Sequence, residues 1–361
     1  MPLNHYVSLG RSGLRVSPFS LGAMTFGEDN GWGSSVKDSE AILHRYAEQG
    51  GNFVDTANVY TQGHSEKILG DVFKREPGFR EKLVLATKFY GNLFSGDPNG
   101  GGAGRKGLVR QLEESLRRLQ TDHIDLYWLH VWDQFTPIEE TLRTLDDQVR
   151  AGKIRYLGFS DTPAWKLAQA QMLSTFHNYT PLVALQIEYS LLERTAEHEL
   201  IPACRELGLG VTPWSPLRGG ALTGKYTREN HGKVQAGRGG WVLSAANERT
   251  YAIVDVLVKI AKELDSTPAR VALSWVQHRP GVTSTIIGAR TLEQLEDNLR
   301  ALEVKLSPEQ TKQLDDATAP TPWVLTRFLA PPHSFGYGGT TVDGITNPAS
   351  ALAPKPGAER Y

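Results

Sequence analysis

DTANVY at residues 55–60, LATKFYG at 85–91, DLYWLH at 125–130 and LGFSD at 157–161 each follow or close an apolar run, and each carries a polar chemical group. Together they supply Asp55, Tyr60, Lys88, His130 and Ser160. The runs behind them belong to a longer series. Strand-like segments at 20–23, 52–55, 83–87, 125–129, 156–159, 182–187, 210–212 and 283–287 alternate with amphipathic helix-like stretches. The repeat is about 30 residues, the size of a βα unit. These segments are continuous apolar runs, which fits a parallel sheet covered on its outside.

The helix-like stretches include 39–49, 105–119, 138–151, 165–173, 197–207 and 292–302. Gly50-Gly51, Gly152 and Gly208 follow three of them, where a left-handed cap is tolerated. Pro137 and Pro163 stand where a first helical turn would begin. Eight such units predict an α/β fold, the (β/α)8 TIM barrel. Residues 6–9 and 14–17, joined through Gly10-Arg11-Ser12-Gly13, read as a β-hairpin ahead of the first barrel strand. A doubly wound sheet remains the alternative, because it differs only by a strand-order reversal. The barrel domain is expected over residues 1–318, with a long loop at 215–247 after strand seven. Residues 319–361, rich in Pro, Gly and Ala without a helical period, read as an irregular C-terminal tail near the open face of the barrel.

A net charge of −1 gives no electrostatic argument for nucleic acid or an anionic membrane as partner. The single cysteine, Cys204, excludes an intramolecular disulfide and suits a reducing cytoplasm. Within HELIPACREL it reads as a buried structural thiol. There is no basic and then apolar leader, and no apolar run approaches the ~20 residues of a membrane span. The expectation is a cytoplasmic globular protein.

In a parallel barrel the C-terminal strand ends open on one face, and reactive groups collect there. Asp55, Lys88 and His130 end strands two, three and four, and Tyr60 lies five residues beyond Asp55. A phenol is a poor acid, with a reference pKa of about 10, and a nearby ammonium lowers that value. Asp55 can hold Lys88 charged, and His130 can donate to a substrate oxygen. The set suits protonation of a carbonyl oxygen while hydride arrives at carbon. Any one of these residues alone reads more simply as a cap, a solvated charge or packing. Four in register are harder to explain that way.

Two glycine-rich strings fail in context. Gly102 to Gly107 fits G-x-G-x-x-G but follows a loop rather than a strand, and Gly219 to Lys225 resembles a P-loop that ends in Tyr226 instead of Ser or Thr. There is no H-E-x-x-H and no thiolate cluster, so no metal is expected.

With these residues in place the chain resembles the aldo-keto reductase superfamily over roughly residues 9–318. Within it the chain is most similar to bacterial oxidoreductases of the aryl-alcohol dehydrogenase and potassium-channel β-subunit-like branches. The resemblance implies NADPH-dependent reduction of a small-molecule carbonyl (NADP+ being the product form), with Tyr60 as general acid, Lys88 and Asp55 as its tuning pair and His130 as orienter. It also implies that Ser160, Asp161 and Gln186 bind the nicotinamide carboxamide and that Trp214 stacks on the ring. Ser215, Leu217, Gly219 and Lys225, within WSPLRGGALTGKY, would clasp the pyrophosphate. Gly288, Arg290, Gln294, Asp297 and Asn298 would surround the adenosine and its 2′-phosphate. Many relatives carry Asn in place of Asp161, and some carry Arg in place of Gln294, so phosphate recognition falls mainly on Arg290. Phe26, Trp32, Phe89, Trp132 and the tail are the expected substrate walls, and their aromatic content points to an apolar or aryl carbonyl. A Schiff-base lyase using Lys88 and a cofactor-sensing scaffold with slow turnover are the competing readings. Oligomeric state leaves no mark in the sequence.

Overall fold

Short aliphatic runs become strands in the computed structural model of this chain, which describes residues 1–226, 247–354 and 357–358. Strands β1 (Val7–Ser8) and β2 (Arg15–Val16) pair antiparallel as the leading hairpin. Strands β3 (Phe19–Gly22), β4 (Phe53–Asp55), β5 (Val84–Phe89), β6 (Ile124–Leu129), β7 (Ile154–Ser160), β8 (Leu182–Glu188), β9 (Gly210–Trp214) and β10 (Thr285–Ile287) follow one another in one eight-stranded sheet. Every neighbouring pair is parallel, and β10 returns beside β3. Between β9 and β10 the ring closes through a parallel bridge of Val211 with Val282, and Thr283 N–H donates to the Val211 carbonyl at 2.8 Å. The order is sequential, so this is the (β/α)8 barrel and not a doubly wound sheet.

The helices start and stop where local chemistry directs. The Ser35 hydroxyl accepts from Asp38 N–H ahead of Val36–Glu48, and Ser307 with Gln310 forms a capping box ahead of Pro308–Thr318. Gly50, Gly152 and Gly208 all take positive φ after their helices. Pro137 and Pro163 sit one position earlier than expected, as the residues flanking Ile138–Arg150 and Ala164–His177. Cys204 lies buried in Leu200–Leu207, and burial pushes its thiol up to about 12.

Two apolar cores result. The larger lies between the outer face of the strands and the helices. The smaller fills the barrel itself: Phe53, Val84, Ala86, Leu126, Trp128 and Ala184, with Leu9 and Val16 contributed by the hairpin. The hairpin therefore closes the end of the barrel opposite the strand C-termini.

The chain divides into two compact units, Met1–Ala319 and Pro320–Tyr361. The second contains the one-turn helices Thr326–Leu329 and Ser334–Tyr337 and a hairpin of β11 (Thr340–Val342) with β12 (Ile345–Asn347). Asp343 and Gly344 turn this hairpin with φ of 47° and 80°, the handedness that a two-residue turn needs. The tail is thus more regular than its composition implies. Of the expected loop at 215–247, residues 227–246 lie outside the described residues. Among the described residues, no helix is long and apolar enough to cross a membrane.

Helix His64–Arg75 packs closely on Arg105–Leu119 at Gly70. A Cβ on Gly70 would stand 2.1 Å from the Arg118 carbonyl oxygen and 2.8 Å from the Leu119 carbonyl carbon. Backbone atoms cannot yield cheaply, and overpacking of this kind costs about 1–3 kcal/mol. The helix-propensity gain of alanine, about 1 kcal/mol, offsets only part of that. Gly70→Ala should therefore lower the urea midpoint. An unchanged or higher midpoint would mean that the two helices separate without loss.

Candidate active site

Side chains alternate between the two faces of a strand, so the barrel interior can be climbed two residues at a time. Phe53, Ala86, Trp128 and Ala184 belong to the inner apolar core. Two residues further stand Asp55, Lys88, His130 and Gln186, and Ser160 likewise follows Gly158 on β7. The apolar layer thus gives way to a polar one at the C-terminal mouth.

Lys88 is wholly buried. Its ammonium contacts Asp55 Oδ1 and donates to the Thr56 carbonyl at 2.8 Å and to the Tyr60 hydroxyl oxygen at 3.1 Å. These three partners use all its protons. The second oxygen of Asp55 accepts from Gln186 Nε2 at 3.0 Å, across the barrel. Burial works against the Lys88 charge, but Asp55 and Tyr60 outweigh it and hold the pKa above the usual lysine value.

Tyr60 is half-buried and meets His130 edge-on, with centroids 5.7 Å apart and planes at 82°. Its pKa differs from the sequence expectation. Burial raises it, Lys88 lowers it, Asp55 raises it again, and the net direction is upward. The phenol is therefore held protonated. Burial and the Lys88 charge drive His130 down to about 3, so its ring is neutral near pH 7.

The loops that carry these groups are strained and pinned. Thr61 and Gln62, directly after Tyr60, have φ of 45° and 58°, and Tyr90, two residues after Lys88, has φ of 110°. Such conformations cost about 1–3 kcal/mol each and persist where surroundings impose them. Here Thr61 Oγ1 donates to the Phe26 carbonyl at 2.9 Å and accepts from Ser65 N–H, while Tyr90 N–H donates to Gln111 Oε1 at 2.8 Å.

The residues expected around a cofactor line the adjoining strand ends and loops. Ser160 is buried, and the half-buried Trp214 donates its indole N–H to Asp161 Oδ1 at 3.1 Å. Asp161 takes φ of 42°. Asp161 is exposed at the surface, yet desolvation by the surrounding protein raises its carboxyl to about 6, against the Trp214 hydrogen bond, the Lys88 charge and the Ser160 hydrogen bond. Beyond β9, Ser215, Arg218, Gly219 and Gly220 all have positive φ, Leu217 is half-buried and Lys225 is exposed. The Ser215 hydroxyl is buried without a hydrogen-bond partner among the described residues. After β10, Gly288 and Arg290 are exposed, and Gln294 Oε1 accepts from Arg290 N–H at 2.9 Å. Asn298 Nδ2 donates to the Gly288 carbonyl at 3.1 Å, and Asp297 is paired with Arg270 at 2.8 Å.

Not every expected wall residue faces the mouth. Phe26 and Phe89 are 0% exposed, and Phe89 stacks on Tyr127 at 4.9 Å within the outer core. Trp32 and Trp132 are half-buried. Two partners have no local signature of contact in the sequence: Gln186, which meets Asp55, and Arg218, which pairs with Glu188 at the end of β8. The second is marked only as an arginine within a glycine-rich loop.

The barrel mouth thus holds a buried ion pair beneath a phenol and a neutral imidazole. The chain matches the aldo/keto reductase family over residues 18–319 and belongs to it; it is an oxidoreductase of a family that acts on small carbonyl compounds. It is 42% identical over 320 residues to the uncharacterized oxidoreductase YrpG of Bacillus subtilis, covering 86% of this chain and 95% of that one. It is 34% identical to the NADP(+) aryl-alcohol dehydrogenase of Phanerodontia chrysosporium, covering 84% and 83% of the two chains. Similarity of 34% extends to a putative voltage-gated potassium channel subunit beta of Schizosaccharomyces pombe, over 87% and 93%.

Asp161 offers a direct check on these electrostatics. Its carboxyl pKa rises from 3.8 to about 6 on folding, so the folded state binds the extra proton between those values. Stability is then lost as pH rises through that window and levels off above about 6. Asn cannot ionise and tolerates the same left-handed backbone. Asp161→Asn should match wild type at pH 4 and exceed it above pH 6, by about 0.5–1 kcal/mol after allowance for solvent screening. A gap independent of pH in chemical denaturation would refute the assignment.

Proposed function

We propose that the protein reduces an aldehyde or ketone to an alcohol with NADPH, and that Tyr60 is the proton donor. One observation carries the reading: Lys88 links Asp55 to the Tyr60 hydroxyl beneath a neutral His130. A neutral imidazole cannot act as a strong acid near pH 7, but it can donate a hydrogen bond to a carbonyl oxygen and orient it. Tyr60 remains to deliver the proton. As the phenol loses it, Lys88 stabilises the developing phenolate at 3.1 Å, and Asp55 keeps the ammonium charged and aimed. The raised Lys88 pKa also opposes the neutral amine that a Schiff-base lyase needs.

The residues present fit a nicotinamide dinucleotide. Ser160, Asp161 and Gln186 would hold the carboxamide beside Trp214. The unpartnered Ser215 hydroxyl, with Leu217, Gly219 and Lys225, would meet the pyrophosphate. Gly288, Arg290, Gln294, Asp297 and Asn298 would enclose the adenosine end. Bound there, the reduced ring supplies hydride to the carbonyl carbon. Gln294 already caps the Arg290 backbone, which leaves the Arg290 guanidinium as the group suited to a 2′-phosphate.

Tyr60→Phe removes the donor and little volume. Carbonyl reduction should fall by roughly 10²–10⁴-fold while NADPH binding stays nearly constant. Wild-type kcat in that variant would exclude Tyr60 as the acid.

Arg290→Ala should weaken NADPH by about ten- to a hundredfold, the loss expected for one charge-assisted contact. NADH, which lacks the phosphate, should barely change. Fluorescence titration of both cofactors decides the point, and equal losses would remove the basis for an NADPH preference.

A further inference from the structure

Helix Ala164–His177 opens four residues after β7, and its first turn holds a cation and no acid. A positive side chain there opposes the helix dipole, so Lys166 is poorly placed for helix stability alone. Its ammonium is nevertheless fixed. It lies 4.8 Å from the Trp132 ring centroid and 4.3 Å from that of Trp165, and donates to Gln169 Oε1 at 2.8 Å. No carboxylate pairs with it among the described residues. The nearest acid in sequence to Trp132, Asp133, is turned inward. It accepts from Ala103 N–H and Phe135 N–H at 2.9 Å and from Thr136 Oγ1 at 2.7 Å. Trp165 is 65% exposed, an unusual position for an indole.

The sandwich joins the loop after β6 to the first turn of the helix that follows β7. Trp132 follows His130 by two residues, and Trp165 follows Asp161 by four. We propose that Trp132, Trp165 and Lys166 form an outer subsite for the anionic end of an aryl carbonyl substrate, with an arene carboxylate as the ligand class. The arene lies beside the exposed Trp165 indole, on the side of Lys166, and the carboxylate meets the Lys166 ammonium. Two indole faces and an amide hold the cation in place beforehand, so little side-chain entropy is lost on binding. The proposal rests on the carbonyl-reducing reading of the barrel mouth.

The test uses para-carboxybenzaldehyde and its longer biphenyl analogue, each against its methyl ester. Binding to the full chain is measured by calorimetry, and turnover with NADPH is measured separately. Wild type should bind at least one acid about three- to tenfold more tightly than its ester, the range for a partly exposed ion pair. That advantage should shrink as salt rises, because the charges are screened. Lys166→Met should bring the ratio near one while leaving ester binding and benzaldehyde turnover unchanged, and Lys166→Glu should reverse it. Trp165→Ala should weaken acid and ester alike. Equal affinity for acid and ester in wild type, or a preference that survives Lys166→Met, overturns the proposal. An acid preference that depends on Lys166, without reduction of any aldehyde, would keep the subsite and sink the reductase reading instead.

Discussion

A lysine ammonium inside a barrel is the constraint around which this site is arranged. An isolated charge of that kind costs several kcal/mol to bury, and Lys88 is tolerated because all of its protons have acceptors. Those acceptors come from β4, from the turn that follows it and from the Tyr60 loop. Asp55 in turn needs its second oxygen satisfied, and Gln186 reaches across from β8 to do so. The pinned turns at Thr61 and Tyr90 keep this arrangement in one geometry. Removing either charged partner would leave the other buried and alone, which is more damaging than never having had the pair.

The electrostatic balance is less simple than a phenol tuned by a neighbouring ammonium. Lys88 does pull the Tyr60 pKa down, but burial and the Asp55 carboxylate pull harder the other way. The phenol is therefore held protonated rather than activated. The same burial strips His130 of its proton. Two groups with ordinary pKa values on either side of neutrality are driven apart, as the proposed division between proton donor and carbonyl orienter requires.

Much of this was legible in the sequence, and the failures have physical reasons. Continuous apolar runs at a βα spacing point to the barrel, while the strand order that separates it from a doubly wound sheet is seen only in the structure. Polar residues at successive strand ends mark the four that come together at the barrel mouth. Strand parity would also have excluded Phe89 from the pocket, since a residue next to an inward Lys88 must point outward. The Asp343-Gly344 turn was visible too, yet the Pro- and Gly-rich composition around it masked the hairpin. Helix His64–Arg75 has no readable start in the sequence, because the Tyr60 loop breaks the period just before it and Gly63 supplies no side-chain cap. The Gln186 link to Asp55 joins residues 131 apart, and no local pattern encodes a distance across a barrel. The net direction of the Tyr60 shift depends on burial, which sequence spacing does not measure.

The alternation that lifts Asp55, Lys88, His130 and Gln186 above the apolar layer also bears on how the chain finds its register. A slip of one residue in β5 would put Phe89 into the barrel and turn Lys88 outward among the aliphatic side chains beneath the helices. There the ammonium would leave Asp55 and its two oxygen acceptors behind, and the carboxylate on that side, Glu66, is already held by Thr87 and Arg118. Apolar packing alone discriminates weakly between neighbouring registers of a run such as Val84–Phe89, because nearly every side chain in it is acceptable on either face. The lysine makes the choice unambiguous. The group proposed to serve the chemistry also acts as a registration pin for the strand that bears it, so selection on the reaction and selection on correct assembly fall on the same atom.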